Sequence, residues 1–112
     1  MNVVNRLTPY SGLKVLISGG AAGIGEVLAA AYLEIGAKVH VCDVSERAVS
    51  AFRERYPEAL ATLADVSNSD EVKRVFEIQR EWVNGLDVLI NNAGIAGPTG
   101  GIEKITDVEW EQ

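Results

Sequence analysis

A chain of 112 residues can bury roughly two-thirds of its unfolded surface in one core and is too short for two. Its composition, 47% hydrophobic and 23% charged, is that of an ordinary globular domain and excludes disordered and fibrous classes. Sixteen acidic residues against ten basic ones leave a net charge of -6, which repels nucleic-acid backbones and anionic membrane surfaces, so neither is an expected partner.

Met1 to Thr8 has neither the basic patch nor the apolar core of a signal peptide. Val15 to Gly25 carries no charge but is too short to span a bilayer. A cytoplasmic protein is the resulting expectation. Leu13 to Ser18 reads as a buried strand, followed by a glycine-rich turn from Gly19 to Gly25. Ile24, Val27, Leu28, Ala31, Tyr32 and Ile35 then recur at helical spacing and are expected to form the packed face of a helix that stops at Gly36.

Lys38 to Asp43 reads as a second strand. Cys42, within it, is the chain's only cysteine, so no internal disulfide can form, and a small buried hydrophobe is expected there in place of a reactive thiol. The single His40 receives the same reading. With no second histidine and no cysteine cluster, no metal site is expected. Ser45 is a candidate N-cap for a helix running toward Tyr56, where Pro57 forbids continuation.

Ala59 to Ala64 reads as a third strand. Ser67 and Asp70 make a capping-box pattern ahead of Val72, Val75, Phe76, Gln79 and Val83, which share one helical face, and Gly85 is the expected stop. Val88 to Asn91 reads as a fourth strand. Short β-rich runs alternating with helices predict βαβ units, and right-handed crossovers then give an α/β fold, a doubly wound parallel sheet ordered 3-2-1-4. In that order the fourth strand lies at an edge, and a further strand from beyond this chain is expected to cover it. Gly97 to Gly101 reads either as a loop beside a substrate opening or as a plain connector. Thr106 and Glu109 form another capping box, predicting a helix from Asp107 of which barely a turn and a half precedes Gln112. Residues 1–112 are therefore expected to be the N-terminal part of a single domain, cut inside that helix.

The turn Gly19-Gly20-Ala21-Ala22-Gly23-Ile24-Gly25 follows a strand and opens a helix, the context in which a glycine pattern signals a dinucleotide site. Its spacing is Gly-x-x-x-Gly-x-Gly. Gly19 can take the positive φ of a tight turn, Gly23 lets the backbone approach a pyrophosphate, and Gly25 removes a side chain where helix and sheet touch. The main-chain N–H groups around Ala22, Gly23 and Ile24 and the helix dipole then favour a phosphate. A tight structural connector is the alternative. Asp43, 18 residues beyond Gly25, stands where such folds place the carboxylate that grips the adenosine ribose. Two like charges about 4 Å apart repel by about 4 kcal/mol at an effective dielectric near 20, so this acid should reject a 2'-phosphate and select NAD over NADP. Only Arg47 stands near enough in sequence to soften that penalty.

With the glycine turn, Asp43, Asp65-Val66 and Asn91-Asn92-Ala93-Gly94 in this order, the sequence strongly resembles the short-chain dehydrogenase/reductase family over nearly the whole chain, from Leu7 to Gln112. Ser18 stands where the family more usually has Thr. The resemblance implies a Rossmann fold and a parent enzyme that transfers hydride between NAD and a small alcohol or carbonyl substrate. It further implies that Asp65 accepts a hydrogen bond from the adenine amine, that the Val66 backbone contacts the ring, and that Asn91, Ala93 and Gly94 line the cofactor. For Asp65 a plain helix-approach residue is the alternative, and for Asn91 a purely structural one. The family's catalytic Ser, Tyr, Lys and relay Asn are not found within these residues. Tyr10 and Lys14 have the bare Tyr-x-x-x-Lys spacing, but Lys14 lies in the first strand, so the two share no helical face. Family members commonly assemble as tetramers or dimers, which makes the full-length protein an expected homo-oligomer. A non-catalytic NAD-binding or sensor module on the same fold is the rival class.

Overall fold

The computed structural model describes residues 12–92. Its elements follow one another as β1 (Lys14–Ser18), α1 (Gly23–Glu34), β2 (Lys38–Asp43), α2 (Glu46–Arg55), β3 (Leu60–Leu63), α3 (Ser69–Val83) and β4 (Val88–Asn91). The strands form a parallel sheet in the order β3-β2-β1-β4, the Rossmann arrangement expected from the alternation of elements. Register aligns Ser18 with Cys42 and Asn91, and Asp43 with Leu63, so the carboxyl ends of the strands share one edge. Ligands bind in the crevice outside that edge in open α/β sheets.

Alternation along β1 and β2 divides the core between two faces. Val15, Ile17, Val39 and Val41 pack with Ala29 of α1 and with Val49 and Phe52 of α2. Leu16 and Cys42 point the other way, beneath Val72, Val75 and Phe76 of α3. The Cys42 thiol is pushed up to about 12 by burial, with Asp43 next to it adding to the rise. It behaves as the packed hydrophobe that its strand position implies.

The α3 side also holds a buried polar triad. His40, fully buried, lies 2.9 Å from Gln79 Oε1 through Nδ1 and 2.8 Å from Thr62 Oγ1 through Nε2. Gln79 Nε2 donates to the Gly85 carbonyl, so Gln79 Oε1 can only accept. The proton therefore sits on Nδ1, and Nε2 accepts from the Thr62 hydroxyl. Trp82 covers the ring edge-on. Desolvation lowers the His40 pKa from 6.5 to about 4, against the smaller raising effect of the Gln79 hydrogen bond. A histidine depressed in the folded state stabilises fully above its unfolded pKa, and its contribution is lost as pH falls from about 6.5 toward 4. Urea unfolding at pH 7.5 and at pH 5 should thus differ by about 2 kcal/mol from this residue alone. His40→Gln should flatten that difference, and an equally steep pH dependence in the variant would refute the assignment.

Three local expectations are corrected. The packed face of α1 is not the stripe through Ile24, Val27 and Ala31. Ile24 and Val27 are 72% and 68% exposed, Ala31 is also exposed, and the buried positions are Gly25 and Ala29, flanked by half-buried Leu28, Tyr32 and Leu33. This helix is apolar on every side, so it turns toward the sheet the residues that permit the closest backbone approach. The N-cap of α3 is Asn68, whose side chain accepts from the Glu71 N–H at 3.1 Å, and not Ser67. The helix ends at Asn84, in the left-handed conformation with φ 53°, one residue before Gly85. By contrast, Ser45 caps α2 as expected, its Oγ accepting from Ala48 at 3.1 Å. An Arg55–Glu26 ion pair ties α2 to α1.

Candidate functional site

The crevice is organised around the turn between β1 and α1. Gly19 and Gly23 both have positive φ, 65° and 61°, which only glycine adopts without cost. A Cβ on Gly23 would meet nothing within 4 Å, so the backbone there faces open space. A Cβ on Gly25 would fall 2.1 Å from the Gly19 carbonyl oxygen and 2.7 Å from Gly20 Cα. The close contact at Gly25 is therefore between the helix and the turn's own backbone, a correction to the expected helix–sheet contact. Gly20, to which the sequence assigned no role, has the tighter fit against the sheet: its Cβ would overlap Val41 Cγ1 at 2.7 Å.

Residues from neighbouring strands hold this turn. Gly19 and Gly20 both donate main-chain hydrogen bonds to the Cys42 carbonyl, at 2.8 and 3.3 Å. Asp43, at the end of β2, accepts from the Ala21 N–H through Oδ2 at 3.2 Å and from the Ser45 N–H through Oδ1 at 3.1 Å. From the β4 side, Asn92 Nδ2 donates to the Gly19 carbonyl at 3.1 Å, and the Ser18 hydroxyl donates to Asn91 Oδ1 at 2.9 Å. Asn92 and Ser18 were not among the candidate residues. Each pairs across 73 positions of sequence, a relation that spacing alone does not reveal.

Ala22, the N-cap of α1, provides no side-chain acceptor. The first-turn N–H groups of Gly23, Ile24 and Gly25 are thus left without a side-chain cap, at the positive end of the helix dipole. Farther along the crevice, the Asp65 carboxylate accepts at Oδ1 from the Ser67 hydroxyl at 2.7 Å and the Ser67 N–H at 3.0 Å. Those bonds, the hydroxyl first, hold its pKa below the usual carboxylate range. Val66 beside it is half-buried against the α3-side core. The structure brings Gly19, Ala22, Gly23, Ile24, Gly25, Asp43, Asp65, Val66 and Asn91 to the carboxyl edge of one sheet. Ala93, Gly94, the Gly97–Gly101 segment and the helix expected from Asp107 lie outside the described residues.

A family model described as short chain dehydrogenase matches residues 13–112. Among similar curated proteins, a short chain dehydrogenase/reductase of Gibberella zeae is 38% identical over 104 residues, covering 87% of this chain and 38% of its own length. Glucose 1-dehydrogenase of Gluconobacter oxydans is 38% identical over 108 residues, covering 89% and 40%. The 3beta-hydroxysteroid dehydrogenase 2 of Eggerthella lenta is 32% identical over 106 residues, covering 91% and 41%. The chain thus spans about two-fifths of the length of these relatives. Of solved structures, a short chain dehydrogenase from Mycobacterium smegmatis superposes with a TM-score of 0.72 at 32% identity, over 79% of this chain and 39% of that one. A hydroxysteroid dehydrogenase from Escherichia coli gives 0.72 at 28% identity, over 80% and 40%.

Proposed function

Because the chain belongs to the short-chain dehydrogenase family, we propose that it is the NAD-binding N-terminal part of an oxidoreductase acting on a small alcohol or carbonyl compound. The observation that carries this reading is the joining of the glycine turn to an acid on the next strand. Asp43 sits one hydrogen bond from the Ala21 N–H, so a ligand whose phosphates lie against the turn has its sugar within reach of the carboxylate. The residues fit the group. The backbone at Gly23 opens onto free space, the N-terminus of α1 lacks a side-chain cap, and the crevice ends in acceptors of the kind that ribose hydroxyls and an adenine amine require.

In this reading the N–H groups of Ala22, Gly23 and Ile24 hold the pyrophosphate, helped by the helix dipole. Asp43 binds the ribose, Asp65 and Val66 hold the adenine, and Asn91, Ala93 and Gly94 line the remaining length. When bound, the nicotinamide accepts or donates the hydride. This chain's residues orient the cofactor, and the proton-moving groups are assigned to the polypeptide after Gln112. The full-length protein is proposed to be a cytoplasmic homo-oligomer.

Titration of the full-length protein with NADH and NADPH, followed by calorimetry, tests the proposal. Tighter binding of NADH is expected. A clear preference for NADPH would remove the role given to Asp43, and the absence of affinity for either would overturn the reading.

A further inference from the structure

At the carboxyl end of β3 the ladder runs out. Ala64 N–H still donates to the Asp43 carbonyl at 2.9 Å, but Asp65 N–H lies beyond the last strand pairing. Glu71, in the first turn of α3, reaches back to accept from it through Oε1 at 2.7 Å. In an ordinary capping box the acid at this helical position returns to the N–H of the N-cap residue itself. Here the Asn68 N–H is already taken by the Asp65 carbonyl at 3.1 Å, and the Glu71 carboxylate is redirected to the site residue. One turn on, Arg74 Nη2 donates to the Leu63 carbonyl at 2.7 Å. Successive turns of α3 therefore clamp the strand end on both sides of Ala64.

Both donors of Ser67 converge on one oxygen of Asp65, Oδ1. Among the described residues none donates to Oδ2, which leaves a fixed acceptor at the crevice.

We propose that Glu71 and Ser67 are positioning residues that aim Asp65 Oδ2 at the exocyclic amine of an adenine-type base, and so set selectivity for aminopurine over oxopurine dinucleotides. This rests on the proposed dinucleotide reading. A hypoxanthine base carries a carbonyl oxygen in place of the amine and offers Oδ2 no proton at that position. A rigid carboxylate cannot turn aside to the ring N1 proton, whereas a loosened one can. Selectivity then depends on the clamp as well as on the acid.

The test compares the affinity of NADH with that of reduced nicotinamide hypoxanthine dinucleotide in the full-length protein, as a ratio within each variant, so that any general loss of stability cancels. The wild-type protein should favour NADH. Glu71→Ala and Ser67→Ala should reduce that preference about three- to tenfold, the weight of one hydrogen bond. Glu71→Gln, which keeps an acceptor for the Asp65 N–H, should retain it. Asp65→Asn tests the reading beneath the proposal, because its amide can donate to the oxo group and the preference should vanish or invert. A ratio altered by Asp65→Asn but not by Glu71→Ala overturns the clamp alone. A ratio that Asp65→Asn leaves unchanged overturns both.

Discussion

Replacing Gly25 with alanine will weaken dinucleotide binding by more than about a hundredfold and cost about 3 kcal/mol of stability, the upper range for overpacking. The added methyl would lie 2.1 Å from the Gly19 oxygen and 2.7 Å from Gly20 Cα, and both are backbone atoms that cannot swing aside as a side-chain tip can. Relief requires the turn to lift, but the turn is held by Cys42 from β2 and by Asn92 from beyond β4. The strain therefore passes into the strand ends as well as the proposed phosphate-binding turn. NADH titration and urea unfolding of the same variant measure both effects, and a variant that binds within threefold of wild type would show that the turn tolerates displacement. Gly23→Ala provides the contrast. Its methyl meets no protein atom, so its stability cost is confined to the left-handed backbone, about 1–2 kcal/mol. Any larger loss of affinity there reports contact with the ligand.

The second large effect concerns Asp43. Asp43→Asn should shift the ratio of NADH to NADPH affinity by about ten- to a hundredfold toward NADPH, a screened fraction of the roughly 4 kcal/mol expected for two like charges near one another. Absolute affinity for NADH should also drop, because the acid braces the turn besides its proposed hold on the sugar. Its Oδ2 accepts from Ala21 and its Oδ1 from Ser45, and an amide has only one oxygen with which to replace them. Stability should fall by about 1 kcal/mol for the hydrogen bond forgone. Calorimetric titration of both nucleotides distinguishes the two jobs: loss of affinity for both in equal proportion would mean that Asp43 braces the turn without sensing the sugar.

The strands were legible because each is a short apolar run bounded by turn residues, and their order followed from the handedness of the crossovers. The turn was legible because three glycines follow a strand at a defined spacing. The packed face of α1 was not. From Val27 to Leu33 every residue is apolar, so periodicity selects no stripe, and the choice was made by the room available between helix and sheet. The cap of α3 was displaced by one residue for a different reason. Ser67 and Asn68 are both good caps, and the decision lay with Asp65, which engages both donors of Ser67. The core position of His40 follows from its strand, whereas its partners Thr62 and Gln79 come from two other elements and leave no mark on the local sequence. The bonds of Ser18 to Asn91 and of Asn92 to Gly19 span 73 positions and leave as little local trace, whereas Glu71 lies only six residues from Asp65 and is redirected because the Asn68 N–H is already taken.

The glycine turn is fastened by three groups drawn from β2 and from the end of β4. A peptide copying residues 14–34 would carry all its glycines yet lack the carbonyl of Cys42, the carboxylate of Asp43 and the amide of Asn92 that give the loop its shape. Such a peptide should grip phosphate no better than any flexible glycine-rich oligomer. On the proposed dinucleotide reading, nucleotide uptake by the intact molecule would serve as a readout of sheet assembly during refolding, its signal rising only when β2 and β4 have both docked on β1.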